Sequence, residues 1–262
     1  MPRYPLMARH LSLRYCTLMK LVIATPLYPP EIGGPATHVQ ALNEHLPAQG
    51  IEVRVIKFSD IRRLPKVFRH IAFGVRVFRA ARHADVVSAH DTVSVGLPSA
   101  LAAMFAGKQL VVCVPGDYAW EQGVQRFGVK DSIDDFQHKR YGFSVEWLRM
   151  LQRFVVRRAS VVVVPSAYFG KVVEAWGVKP ERLRVVYNSV ELETPIQPDN
   201  KPEGNVMVSA GRLVPWKGFD GVIEALQRLP EWKLVIIGDG PERARLERLA
   251  NHRAVANRAT FT

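Results

Sequence analysis

Four consecutive valines, Val161–Val164, held between Ser160 and Pro165, constrain the fold of this chain more than any other stretch. A short, unbroken, β-branched run closed by a turn residue is a strand buried on both faces. Such strands belong to parallel sheets covered by helices. The pattern recurs: residues 21–24, 51–58, 84–90, 109–114 and 183–187 also read as strands. Helical patterns lie between them. One carries Val39, Leu42 and Leu46, one spans 61–83 with a bend near Pro65, and one is the Ala/Leu-rich stretch 96–106. Another carries Trp147, Leu148, Leu151, Phe154 and Val155, and Ser166 fits a helix cap after the valines. Strand–helix alternation of this kind gives an α/β fold with a parallel sheet.

The alternation is interrupted once. Residues 193–204 are polar and rich in proline and read as a linker. The pattern then resumes with a strand at 206–210, a helix carrying Phe219, Val222, Ile223 and Leu226, a strand at 232–238, a charged helix at 242–252 and a strand at 259–262. Two domains are expected, 19–192 and 205–262, the second ending on what reads as a strand cut short. In an open α/β sheet ligands bind beyond the carboxyl ends of the strands. Between the strand and the helix that open the second domain stand Arg212 and Lys217, in a loop with Gly211, Pro215 and Gly218. Two cations next to a helix N-terminus suit a diphosphate. The same spacing also fits two solvated loop cations.

Other strand ends carry weaker signals. Gly33-Gly34 precedes a helix and either lets a ligand approach the backbone or serves a turn. His90 and Asp117 each follow a strand, His90 with Asp91 beside it. A lone histidine there fits a structural role as well as a ligand, and Asp also favours turns. Residues 131–135 form a local acidic patch, and Asn188 follows the strand at 183–187.

Charge narrows the partners. The chain carries 36 Lys and Arg against 24 Asp and Glu, a net charge of +12, so an anionic partner is expected. Within 61–83 stand Arg62, Arg63, Lys66, Arg69, Arg76, Arg79 and Arg82 with no acid, beside Val67, Phe68, Ile71, Val75 and Phe78. This is a basic amphipathic helix, suited to an anionic membrane surface or to core packing with a solvated basic face. No nucleic-acid motif and no basic stretch with interleaved aromatics is present. Residues 1–18 are basic and acid-free, and read as a disordered arm or a start-site artefact. Cys16 and Cys113 form neither a disulfide framework nor a metal-ligand spacing. A buried, reduced Cys113 fits the cytoplasm. No apolar run is long enough to cross a bilayer.

The order of motifs resembles glycosyltransferase family 4. The resemblance rests on residues 28–34 (Tyr-Pro-Pro-Glu-Ile-Gly-Gly), Thr37-His38-Val39, His90-Asp91, Val164-Pro165-Ser166 and residues 186–190. It rests most on residues 211–218 (Gly-Arg-Leu-Val-Pro-Trp-Lys-Gly) and 236–242 (Ile-Ile-Gly-Asp-Gly-Pro-Glu). It implies a GT-B architecture of two Rossmann-like domains. The implied reaction is retaining, hexosyl-type transfer from a nucleotide-sugar donor, with no metal and no further cofactor. The implied acceptor is a cell-envelope, lipid-linked or polysaccharide glycan. Arg212 and Lys217, with Gly33 and Gly34, would bind the donor diphosphate, and Gly238 and Gly240 would shape the nucleotide pocket. His90 would be catalytic at the reacting region, and Glu31, Asp117 and Asn188 would face the acceptor or the cleft. The expected location is the cytoplasm, peripheral on the inner face of the membrane.

Two departures bear on activity. Pro115 stands where some members carry a histidine, and the family's Gly/Glu-rich segment, with its two sugar- and ribose-binding glutamates, is absent from 1–262. The polypeptide 1–262 is therefore expected to be inactive. A non-catalytic homologue that binds a nucleotide, a membrane or a protein partner is the alternative.

Overall fold

The computed structural model describes residues 18–31, 33–189 and 204–262, and for Lys66 and Val67 the backbone only. The basic leader up to residue 17, with Cys16, and the linker up to residue 203 lie outside the described residues. The chain divides into two compact units. Residues up to Ala119 with Ile133–Tyr187 form the first, and Trp120–Ser132 with the chain from Asn188 form the second.

In the first unit, β1 (Met19–Thr25), β2 (Ile51–Lys57), β3 (Val86–Ala89), β4 (Gln109–Cys113), β5 (Val161–Val164) and β6 (Leu183–Val185) form one sheet. Its order is β2-β1-β3-β4-β5-β6, and every neighbouring pair is parallel. The register places Val162 beside Val112 and Leu183. Val162 and Val164, on one face of β5, are fully buried, whereas Val161 and Val163 on the other are half-buried, so burial on both faces, as the unbroken run predicts, is met in full on one face only. Parallel strands need crossovers, and helices supply them. These are α1 (Gly34–His45), α2 (Lys66–Ala81), α3 (Gly96–Ala106), α6 (Phe143–Arg158) and α7 (Ala167–Ala175). Between β4 and α6 come α4 (Tyr118–Arg126), which falls in the second unit from Trp120 on, and α5 (Ile133–His138).

Local chemistry sets the helix ends. The Ser166 hydroxyl accepts the Phe169 N–H at 3.1 Å, which confirms the expected cap. Gly50 and Gly107 end their turns in the left-handed region, at φ +78° and +64°. Pro65 does not bend a longer helix, as the pattern over 61–83 suggests. A 3-10 turn at Ser59–Ile61 ends before it, and α2 starts directly after it. The ring fixes φ, and the missing N–H costs nothing at a helix start.

The second unit holds β7 (Asn205–Ala210), β8 (Trp232–Ile237) and β9 (Ala259–Phe261), parallel in that order. It also holds α8 (Phe219–Gln227) and α9 (Arg243–His252). Leu213, Phe219, Ile223, Leu226, Leu234, Ile236 and Leu246 make its core. Trp120 groups with this unit, its ring 5.8 Å from that of Trp216.

Candidate functional site

The loop from β7 to α8 is built around Leu213. This side chain is fully buried, and its N–H donates to Asp239 O at 3.0 Å. Gly211 N–H donates to Ile237 O at 2.9 Å. A 3-10 turn at Pro215–Lys217 follows, and Gly218 at φ +69° turns the chain into α8. Anchoring Leu213 and Val214 inward leaves Arg212 and Lys217 exposed on either side of them. Among the described residues neither cation has a carboxylate partner. The next acids along the chain, Asp220 and Glu224, are engaged elsewhere, with Arg245 and Arg253. Two uncompensated cations at the carboxyl end of a strand and the start of a helix attract an anion.

Gly238 and Gly240 have a different reason to be glycine. A Cβ on Gly238 would lie 2.2 Å from Gly211 O, and one on Gly240 would lie 2.3 Å from Leu213 O. The loop after β8 therefore packs backbone against backbone on the loop after β7. Glu242 N–H closes the join by donating to Leu213 O at 3.1 Å. Both glycines thus hold the cationic loop in place, a role that sequence spacing alone does not reveal.

In the first unit, Gly33 sits at φ +155° before α1, and its carbonyl accepts from Ala36 N at 2.9 Å and Thr37 N at 3.2 Å. A Cβ there would come 3.3 Å from Leu27 Cδ1, whereas one on Gly34 would meet nothing within 4 Å. Space is open at Gly34 alone. The Glu31 carboxylate pairs with the Arg62 guanidinium and accepts the Tyr28 N–H at 3.2 Å. Asn188 is exposed just beyond β6.

His90 is only 3% exposed. Its Nε2 lies 3.2 Å from Ser88 Oγ and 3.9 Å from Cys113 Sγ, and its ring centroid lies 5.5 Å from that of His38. Burial, with a smaller contribution from His38, lowers its pKa to about 3. The imidazole is neutral near pH 7, so it can exchange hydrogen bonds but supplies no proton from a cationic ring. Cys113 is half-buried rather than fully buried, and desolvation raises its thiol to about 11. Asp91 accepts from Val93 N at 2.6 Å and from the Ser94 hydroxyl, capping the approach to α3. Burial raises its carboxyl pKa against those hydrogen bonds.

Asp117 is 1% exposed and anchors a buried polar network. Its two oxygens accept from Gln137 Nε2 at 2.8 Å and Gln152 Nε2 at 3.0 Å. Gln152 Oε1 accepts Ala119 N–H, and Gln137 Oε1 accepts Trp176 Nε1–H, both at 3.0 Å. Arg149 lies 4.0 Å over the Phe136 ring and donates to Lys139 O at 2.7 Å and to Phe136 O. Gln137, Arg149 and Gln152 escaped sequence reading because a glutamine or arginine on a helix looks like a solvated face. Among the described residues no three His, Cys, Asp or Glu side chains gather as metal ligands.

Known proteins match both units. The model of Glycosyltransferase Family 4 covers residues 32–194, and that of Glycosyl transferases group 1 covers 192–262. A lipopolysaccharide core biosynthesis glycosyltransferase, LpsE of Rhizobium meliloti (strain 1021), is 43% identical over 63 residues, 24% of this chain and 18% of LpsE. A GDP-mannose:cellobiosyl-diphosphopolyprenol alpha-mannosyltransferase of Xanthomonas oryzae pv. oryzae (strain PXO99A) is 28% identical over 206 residues, 75% of this chain and 47% of that protein. The chain thus spans under half the length of these curated relatives. Among solved structures, the apo lipopolysaccharide outer core galactosyltransferase WaaB matches with TM-score 0.57 and 18% identity, over 93% of this chain and 67% of that one. A putative UDP-N-acetylglucosamine 2-epimerase from Listeria monocytogenes matches with TM-score 0.55 and 16% identity, over 93% and 68%. These likenesses bear on the fold, and the α/β class of GT-B type read from the sequence is the one the chain adopts. With a family model matching 32–194 and a transferase model continuing to 262, the chain belongs to glycosyltransferase family 4.

Proposed function

We propose that the chain serves retaining, hexosyl-type, metal-independent transfer of a sugar from a nucleotide-sugar donor to a cell-envelope, lipid-linked or polysaccharide acceptor. We place that work at the inner face of a cytoplasmic membrane. The observation that carries the reading is the pair Arg212 and Lys217, exposed and, among the described residues, without carboxylate partners on a loop whose backbone is locked. A departing nucleoside diphosphate gains negative charge, and two fixed cations stabilise that charge more in the transition state than in the ground state. Their charge does the work that a divalent cation does elsewhere. The α1 N-terminus at Gly33–Gly34 offers backbone N–H groups to an anion. His90 contributes as a neutral hydrogen-bonding group and Glu31 and Asn188 as wall residues on the acceptor side, whereas the buried Asp117 holds the fold. The relatives named above, which act on lipopolysaccharide and on a diphosphopolyprenol-linked glycan, support the acceptor class.

Calorimetry with UDP and GDP tests the site. We expect the double variant Arg212→Ala/Lys217→Ala to bind at least about tenfold more weakly, with its unfolding temperature unchanged. Equal affinity in the variant and the parent would remove these residues from the donor site.

A further inference from the structure

Trp216 is the large side chain of the β7–α8 loop that the core does not take up. It stands in the middle of the 3-10 turn Pro215–Lys217, one residue before the cation Lys217. Leu213, Val214 and Phe219 anchor the loop and are buried, whereas Trp216 is half-exposed. Its indole N–H is also unused. Trp120 Nε1 donates to Asp131 O and Trp176 Nε1 to Gln137 Oε1, both at 3.0 Å. Trp216 Nε1 has no such acceptor among the described residues. A solvated turn is better served by a small or charged residue, and a tryptophan there leaves apolar surface in water beside two cations that attract phosphate.

Trp120 braces the Trp216 ring from one side. The two centroids lie 5.8 Å apart, with the planes tilted by 53°. Trp120 is itself held, because its bond to Asp131 O closes the segment Trp120–Ser132 of this unit. Within that segment Gly128, at φ +71°, lets Val129 N–H reach Gly123 O at 3.1 Å, and Val129 is buried. A tilted contact occupies part of the Trp216 ring and leaves the rest open. An open indole face with a free N–H suits a pyranose. The C–H groups of the sugar ring form an apolar face that packs on the π-system, and its hydroxyls accept the N–H. A nucleobase is less well placed. In a nucleotide sugar the hexose is bonded directly to the diphosphate, whereas the base is a ribose away from it. A glycan acceptor carries the same kind of ring.

We infer that Trp216, braced by Trp120, is a stacking platform for a pyranose ring at the cationic loop, its Nε1–H donating to a sugar hydroxyl. Where the ring is the donor's hexose, this rests on the diphosphate reading of Arg212 and Lys217; where it is a glycan's, it stands without that reading. The platform selects for the sugar and adds nothing to the hold on the diphosphate.

Calorimetry with UDP, UDP-glucose, GDP, GDP-mannose and cellobiose tests it. The parent should bind at least one nucleotide sugar about fivefold more tightly than the matching nucleoside diphosphate, or bind cellobiose in the presence of that diphosphate. Trp216→Leu keeps apolar bulk against Trp120 and removes the π-face and the N–H. It should abolish the sugar-dependent gain while UDP and GDP affinity and the unfolding temperature stay as in the parent, and Trp216→Phe should keep part of the gain. Loss confined to the nucleotide sugars assigns the platform to the donor, and loss confined to cellobiose assigns it to the acceptor. Equal weakening of nucleoside diphosphate and nucleotide sugar in Trp216→Leu would overturn the inference, because the ring would then only shape the loop. So would a sugar-dependent gain that survives Trp216→Leu, or a parent with no sugar-dependent binding. A parent that takes cellobiose through Trp216 but binds neither UDP nor GDP would count against the diphosphate site and leave the platform standing.

Discussion

The carboxyl ends of the two sheets are furnished in opposite ways. In the first unit the polar groups are already engaged: Asp117 by two glutamines, Asp91 by the turn into α3, Glu31 by Arg62, and His90 stripped of water. In the second unit the backbone is engaged and the charge is left over, with Arg212 and Lys217 exposed on loops that grip each other. A residue type at a strand end therefore does not announce its task. The same Asp or Gly that lines a ligand in one fold can be fully occupied with holding the chain in another. What separates the two cases is whether the group's bonding capacity is filled by the protein.

This contrast can be broken experimentally, most strongly at the glycines. Gly240→Ala forces a Cβ onto Leu213 O, where neither backbone can yield cheaply. We expect the second unit to lose about 3 kcal/mol or more, seen as a lowered unfolding transition, with diphosphate binding lost along with it. A variant as stable as the parent would show that the two loops are not interlocked. Next comes Asp117→Ala, which leaves the buried Gln152 Nε2 without this acceptor, while the half-buried Gln137 Nε2 keeps its bond to Ile133 O. A loss of about 2 kcal/mol in the first unit is expected by chemical denaturation, with no change in UDP or GDP affinity. Weakened nucleotide binding at unchanged stability would instead make Asp117 a ligand group.

The smallest effect at neutral pH is expected for His90→Gln, within about 1 kcal/mol. Its signature lies in acid. A histidine with a folded pKa of about 3, against about 6.5 unfolded, takes up its proton more readily when the chain unfolds. The parent should therefore lose stability as pH falls below about 6.5, by roughly 1.4 kcal/mol per unit from this group, levelling off near pH 3. The raised carboxyl of Asp91 acts in the opposite sense in the acid range, so the difference between parent and His90→Gln isolates the histidine. Identical pH–stability curves would mean that His90 is hydrated and available, which would bring the first sheet's end closer to the second's.

The elements that sequence reading caught are those whose burial is written in apolar residues. The valines of β5, the Phe219-Ile223-Leu226 stripe of α8 and the Ser166 cap each state their environment directly. Helices α4 and α5 were missed because little in them is apolar. The six residues of α5 bury only Phe136, and the nine of α4 include Glu121, Gln122, Gln125 and Arg126. The cations of the β7–α8 loop could be read from spacing. The contact that freezes that loop could not, because it joins Gly211 to Gly238 and Leu213 to Gly240, and nothing local to either stretch names its partner.

The interlock has a consequence for anyone who would re-engineer this protein. Connections at strand ends are usually the parts of an α/β scaffold that accept grafts and length changes. Here the loops after β7 and β8 share one surface at main-chain distance, so an inserted residue in either one displaces the other. Altered preference at the cationic loop should therefore come from exchanging side chains such as Arg212, Trp216 and Lys217 on an unchanged trace. Libraries that vary loop length there would be spent largely on misfolded chains.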